Sequence, residues 1–213
     1  MKDVNELQKW NYAHQISQTF NPQVIINRLE KVSHSQFVKI ARKKVSEPLT
    51  QQAAIIDFEG NPVFLIGILI YDTLFSYYIE DYEHKVDLYL TLLKILLIMN
   101  EIVFFAFSTH EKEEIQKICR YLEVQEVNLT EYACIYEIPI INLQKGRYES
   151  MLEALYSICP TMKITGDALF RNNRLVDQLF YAHKYEEIVT HNQHCLINEA
   201  IILSKRWLKL HTI

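Results

Sequence analysis

Ala53-Ala54-Ile55-Ile56-Asp57-Phe58-Glu59-Gly60-Asn61-Pro62 decides how the rest of the chain is read. An apolar run enters Asp-x-Glu, and Gly-Asn-Pro then turns the chain into a second apolar run, Val63-Phe64-Leu65-Ile66-Gly67-Ile68-Leu69-Ile70. Both runs read as strands. In a strand, side chains i and i+2 share a face, so Asp57 and Glu59 point the same way, about 7 Å apart at Cα. Two ionised carboxylates so placed repel each other, and solvent or a hard cation such as Mg²⁺ makes the arrangement tolerable. Acidic spacing is cheap, as Asp81-Tyr82-Glu83 and the Glu111/Glu113 pair show. What singles out Asp57-Phe58-Glu59 is its place at the end of a buried-looking strand.

Downstream, the pattern predicts a third strand over Leu74–Ile79 and a long helix over about Tyr82–Asn100, with Leu88, Leu92, Ile95, Leu96 and Met99 at helical spacing. The solid apolar run Ile102–Phe107 predicts a fourth strand, buried on both faces. A helix over Lys112–Leu122 follows. Thr109 is its candidate N-cap, and Glu111, Glu113 and Glu114 suit its positive end. A short fifth strand or edge segment is expected over Ile138–Leu143, then helices over about Arg147–Ile158 and Asn172–Tyr181. Gly166-Asp167 reads as a turn. A final helix begins near Tyr185 or Ile188 and runs to the end of the sequence. The order β-β-β-α-β-α calls for an α/β fold. In such sheets the functional crevice lies outside the carboxyl ends of adjacent strands. If strands one and four are parallel neighbours, Glu111 comes near Asp57 and Glu59.

The last helix carries Val189-Thr190-His191-Asn192-Gln193-His194-Cys195-Leu196-Ile197-Asn198-Glu199. His191, Cys195 and Glu199 are four apart and form one stripe. Glu199, projected back onto the sheet edge, would be a fourth carboxylate. His191 or His194 could orient a water or take its proton.

Upstream, residues 1–46 read as a helical N-terminal extension. Helices are expected over Asn5–Phe20 and Val24–Val32, and a third over His34–Lys44. The last ends in the densest basic run of the chain, where Lys39, Arg42, Lys43 and Lys44 are either a solvated face or a patch that tracks phosphates. The extension could serve as a lid, a nucleic-acid clamp or a dimerisation arm, the last giving a homodimer through the N-terminal helices.

With 213 residues, 49% of them hydrophobic and 23% charged, the chain can build an ordinary core. A net charge of −4 excludes a global basic footprint, so any nucleic-acid binding has to rest on local charge or on metal ions. Four glycines are too few for phosphate-cradling loops, and neither G-x-x-x-x-G-K nor G-x-G-x-x-G occurs. Cys119, Cys134, Cys159 and Cys195 lack a C-x-x-C and read as free thiols of a reducing compartment. The first residues lack the apolar core of a signal peptide, and Val86–Met99 is too short and too charged to span a bilayer. A soluble cytoplasmic protein without membrane partners is expected.

Ile56-Asp57-Phe58-Glu59-Gly60-Asn61-Pro62, the strand Phe64-Leu65-Ile66-Gly67-Ile68 and the strand-plus-helix around His110-Glu111 together resemble the RNase H-like superfamily. The resemblance is closest to its predicted DEDD-type exonuclease branch, whose first two strands carry I-D-x-E and L-I-G. It spans residues 53–118 and 186–207. It implies a nuclease domain over 53–213 with a mixed sheet, a three-strand meander followed by alternating helix and strand, flanked by helices. It also implies a metal-dependent nuclease, in the first place a 3′–5′ exonuclease, that hydrolyses phosphodiester bonds of DNA or RNA with two Mg²⁺ or Mn²⁺ ions. Carried over, Asp57, Glu59, Glu111 and Glu199 are the metal ligands, with His194 beside them as a catalytic group. His191-Asn192-Gln193-His194-Cys195-Leu196 departs from the branch's Y-N-x-x-D-C-L by placing Cys195 where Asp belongs. Asn142 likewise stands where some relatives have Asp. The alternative reading is a degenerate RNase H-like module that binds nucleic acid or protein as a scaffold.

Overall fold

The structure is a computed structural model that describes residues 21–33, 35–46, 48–49, 53–146, 148–161, 167, 169 and 172–206. The helix expected over Asn5–Phe20 lies outside the described residues.

Strand β2 (Ala53–Glu59) is the centre of the fold. It pairs antiparallel with β3 (Leu65–Ile70) through the Gly60-Asn61-Pro62 turn, and Gly60 takes φ 93°, a conformation that favours glycine. β3 pairs antiparallel with β4 (Thr73–Tyr78), and β4 with β1 (Lys39–Lys44). On its other side β2 runs parallel to β5 (Val103–Ala106), which runs parallel to β6 (Ile140–Asn142). Among the described residues this makes a six-stranded mixed sheet in the order β1-β4-β3-β2-β5-β6. The architecture is therefore α/β, with helices α1 (Pro22–Leu29), α2 (Lys85–Ile98), α3 (His110–Val124), α4 (Met151–Ile158), α5 (Val176–Tyr181) and α6 (Tyr185–Arg206) flanking the sheet.

The three central strands are buried nearly throughout, which explains why β2, β3 and β5 read as solid apolar runs and not as alternating ones. Two cores cover the two faces. Ala54, Ile56 and Phe58 point into the larger core, with Leu88, Leu92, Ile95 and Leu96 of α2 and Ile115 and Ile118 of α3. Ala53 and Ile55 point the other way, into a smaller core with Leu155 of α4 and Leu196, Ile202 and Leu203 of α6. The period-two alternation of a strand then puts Asp57 and Glu59 on this second face, under α6.

Lys39–Lys44 is a strand and not the helix end expected from its composition. Lys, Arg and Ala favour helix locally, but the ladder to β4 from Lys39↔Tyr78 to Lys44↔Thr73 overrides a weak preference. Its lysines cover an exposed sheet edge and guard it against pairing with other chains. Arg42 pairs with Glu30, and Lys44 with Asp72 at 2.6 Å. The described part of residues 1–46 is built into the same body: Ile26 and Leu29 of α1 are buried in the larger core, and the Tyr77 hydroxyl donates to the Leu29 carbonyl at 3.0 Å. No described helix is long and apolar enough to cross a membrane.

Candidate metal centre

β2 and β5 are parallel, so their carboxyl ends open on the same edge of the sheet. Asp57 and Glu59 close β2. β5 leads through Phe107-Ser108-Thr109 into α3, which carries Glu111 in its first turn. Thr109 occupies the N-cap position without a side-chain cap; Ser108 instead accepts from the His110 N–H at 3.1 Å and reaches Glu111 Oε2 at 3.4 Å. α6 crosses the same edge and brings Cys195 and Glu199. Asp57, Glu59, Glu111, Cys195 and Glu199 line one cleft of about 510 Å³, with His110, Glu149 and Asp177. The structure thus brings together the four carboxylates singled out in the sequence. No Lys or Arg side chain lines the cleft among the described residues, and Glu149 is neutralised from behind by Arg206 at 2.6 Å.

Close approach of α6 depends on a glycine. Asp57 pairs with Gly67 across β2 and β3, and Gly67 pairs with Ser76 across β3 and β4. Asn192 lies over this row: a Cβ at Gly67 would overlap its amide. With hydrogen at that position, Asn192 Nδ2 donates to Asp57 Oδ2 at 2.8 Å and Ser76 Oγ donates to Asn192 Oδ1 at 3.4 Å. Asp57 therefore has a fixed orientation. Glycine within a buried strand commonly marks such an approach of another element.

Burial and mutual repulsion act together on the acidic groups. Burial, then the neighbouring Glu59, raises the Asp57 carboxyl well above its usual range, against the opposing Asn192 hydrogen bond. Glu59 is pushed up to about 8 by burial, with Asp167, Glu111 and Asp177 adding to it. Glu111 is pushed up to about 8 by burial and by Asp57. Glu199 is fully buried and raised strongly by burial, then by Asp57 and Glu111. Neither Glu199 oxygen has a hydrogen-bond partner among the described residues; the Phe107 amide lowers its pKa without reaching hydrogen-bond geometry. Buried polar atoms left unpartnered are uncommon and call for a cause. A divalent cation bound among these groups would favour their ionised forms and so oppose these shifts.

His191, Glu59 and Cys195 form a tighter group within the site. Their ligand atoms all lie within 4.8 Å of one another, and the group could hold a metal ion. His191 Nε2 is 3.8 Å from Glu59 Oε1 and 3.8 Å from Cys195 Sγ. Its other nitrogen, Nδ1, lies 2.9 Å from Asp167 Oδ2 and 3.0 Å from Oδ1. The histidine expected at the site, His194, is half-buried; neither it nor His191 is among the residues lining the cleft, and it is His191 that lies beside Glu59. Asp167, read as part of a turn, instead holds His191. Asp177, at the start of α5, accepts from the Asn61 N–H at 3.3 Å and joins the acidic ring. Lys39, Arg42, Lys43 and Lys44 are not brought to the site. Three strand spacings, about 14 Å, separate β1 from β2.

Comparison of the chain with known protein families, curated proteins and solved structures returns no match. The functional reading rests on the site itself.

Proposed function

We propose that the chain is a metal-dependent phosphodiester hydrolase: a nuclease of RNase H-like type acting on DNA or RNA, in the first place as a 3′–5′ exonuclease. One observation carries the reading. Four carboxylates from three different elements converge on one cleft that lacks a lining Lys or Arg among the described residues, and one of them, Glu199, is buried with both oxygens unpartnered. The meander β2-β3-β4 followed by β5 and β6 on the far side of β2 supports the RNase H-like assignment. Oxygen donors of this kind suit Mg²⁺ or Mn²⁺.

Asp57, Glu59, Glu111 and Glu199 would hold the ions. Bound there, two such ions supply activation of a water and neutralisation of the leaving oxygen in phosphoryl transfer. The protein's own part is positional. Asn192 fixes the Asp57 carboxylate, Ser108 and the first turn of α3 hold Glu111, and α6 sets the depth of Glu199. The acidic rim disfavours a phosphate until cations are in place, which makes binding and reaction depend together on divalent ions.

The test is hydrolysis of end-labelled single- and double-stranded DNA and RNA in Mg²⁺ or Mn²⁺. Cleavage is expected in the wild type. In Asp57→Asn it should fall by at least about 100-fold, the scale of removing one group that stabilises the transition state. Wild-type protein inactive on all four substrates in both metals refutes the proposal. The scaffold reading draws on Cys195 and Asn142, which stand where resembled sequences carry Asp. Nucleic-acid or protein binding retained without cleavage would select it.

A further inference from the structure

Glu59, His191 and Cys195 differ in chemistry from the carboxylate set. A thiol and an imidazole are poor partners for Mg²⁺, which takes oxygen. They suit a metal of borderline softness. A tetrahedral zinc site with bonds of about 2.0–2.3 Å spaces its donor atoms roughly 3.4–3.6 Å apart. Both separations from His191 Nε2, 3.8 Å, exceed that by only a few tenths of an ångström.

The imidazole is also set in the right tautomer. A carboxylate accepts and does not donate, so Nδ1 carries the hydrogen shared with Asp167. In the neutral ring, Nε2 then keeps its lone pair and faces Glu59 and the Cys195 thiol. Carboxylate–histidine–metal triads are built this way: the outer carboxylate fixes the ring and raises its basicity. The His191 and Asp167 side chains are 2% and 1% exposed, so the pair is shielded from competing water. A second observation, beside this group, also points to a ligand. One turn further along α6, Glu199 presents two buried oxygens with no hydrogen-bond partner among the described residues.

We infer that Glu59 Oε, His191 Nε2 and Cys195 Sγ form a binding site for Zn²⁺ or a similar divalent transition metal, oriented by Asp167 and open at its fourth position. On binding, the thiol proton leaves to solvent and the thiolate coordinates. The inference deepens the hydrolase reading through the shared Glu59, because it makes one position of the centre thiolate-ligated and so sets its metal preference apart from an all-oxygen pair.

The experiment is a Co²⁺ titration of the full metal-free chain, followed by displacement with Zn²⁺ against a chromophoric chelator. A thiolate-to-cobalt charge-transfer band is expected in the wild type and in Cys134→Ser, whose cysteine is exposed, and is expected to vanish in Cys195→Ser. Asp167→Asn should keep the band at saturation and weaken Zn²⁺ binding by about 10–100-fold, the usual effect of losing an outer carboxylate. Zinc-edge absorption on the wild type gives a reading independent of any variant: one sulfur with nitrogen and oxygen neighbours is expected. No band in the wild type, a band unaffected by Cys195→Ser, or an all-oxygen shell overturns the site. Binding is read without substrate, so failure of the hydrolase reading leaves the band in place. Mg²⁺-dependent cleavage without a band overturns this inference alone.

Discussion

Glu111→Gln should stabilise the metal-free protein at neutral pH. Glu111 is 5% exposed, and burial together with Asp57 pushes its carboxyl from 4.5 up to about 8. At pH 7 the native state holds a proton that the unfolded state has given up. The stability contributed by that proton is complete below 4.5 and is lost as the pH rises through 8. Relative to a group neutral in both states, the wild type therefore carries a cost that grows from about 0.4 kcal/mol at pH 4.5 to about 3 kcal/mol at pH 7. Glutamine has nearly the same shape, can still accept from Ser108 and is neutral throughout. Urea unfolding in chelator should show Glu111→Gln more stable by roughly 2–4 kcal/mol at pH 7, with the gain nearly gone at pH 4.5. In thermal terms this is about 5–15 °C for a domain of this size. Saturating Mn²⁺ should narrow the difference, because binding at 100 times Kd adds about 2.7 kcal/mol to the wild type and less to a variant without the Glu111 carboxylate. An equal effect of the substitution at both pH values refutes the reasoning, as does wild type more stable than variant in chelator at pH 7.

Gly67→Ala puts a methyl group where the Asn192 amide lies, so α6 has to shift; a loss of about 1–3 kcal/mol is expected in denaturant unfolding, with weaker divalent-ion binding. Unchanged stability would show that α6 does not sit this close. Lys39→Ala and Lys43→Ala change exposed side chains on the far edge of the sheet, and the chain's stability should stay within about 0.5 kcal/mol. Cleavage, measured at moderate salt, should stay within about twofold, the same free-energy scale. A large drop in cleavage would place the nucleic-acid path across β1.

The central elements were legible because their signals are local. β2, β3 and β5 are apolar runs with turn residues between them, and α6 shows its period in Ile188, Leu196 and Leu203. The stripe His191-Cys195-Glu199 was also legible, since four-residue spacing fixes one helix face. That spacing does not separate His191 from His194, because residues three apart are also neighbours on a helix surface, and only the contact with Glu59 distinguishes His191. What escaped depends on partners distant in sequence. Asp167 lies 24 positions before His191, and no local spacing joins them. Asn192 acquires its role from Gly67 and Ser76 on two other strands; the isolated glycine of the L-I-G run was the available signal. Lys39–Lys44 was misread because a charged edge strand has no apolar alternation and exists only through its ladder to β4.

The hydrolase and scaffold readings differ in what must offset the acidic charge. Without ions, Asp57, Glu59, Glu111 and Glu199 can share this cleft only by holding protons, since burial raises all four. Such a protein would be most stable in mild acid and would lose stability towards neutral pH. Protonation also leaves the Glu199 oxygens without a partner, so it does not account for their burial. Divalent ions remove both difficulties at once: they allow the carboxylates to ionise and give Glu199 a ligand. Asn192 points the same way, because an amide hydrogen donated to Asp57 favours the ionised carboxylate. A site that keeps this donor beside so many buried acids is organised for the charged state, and in the charged state it needs cations.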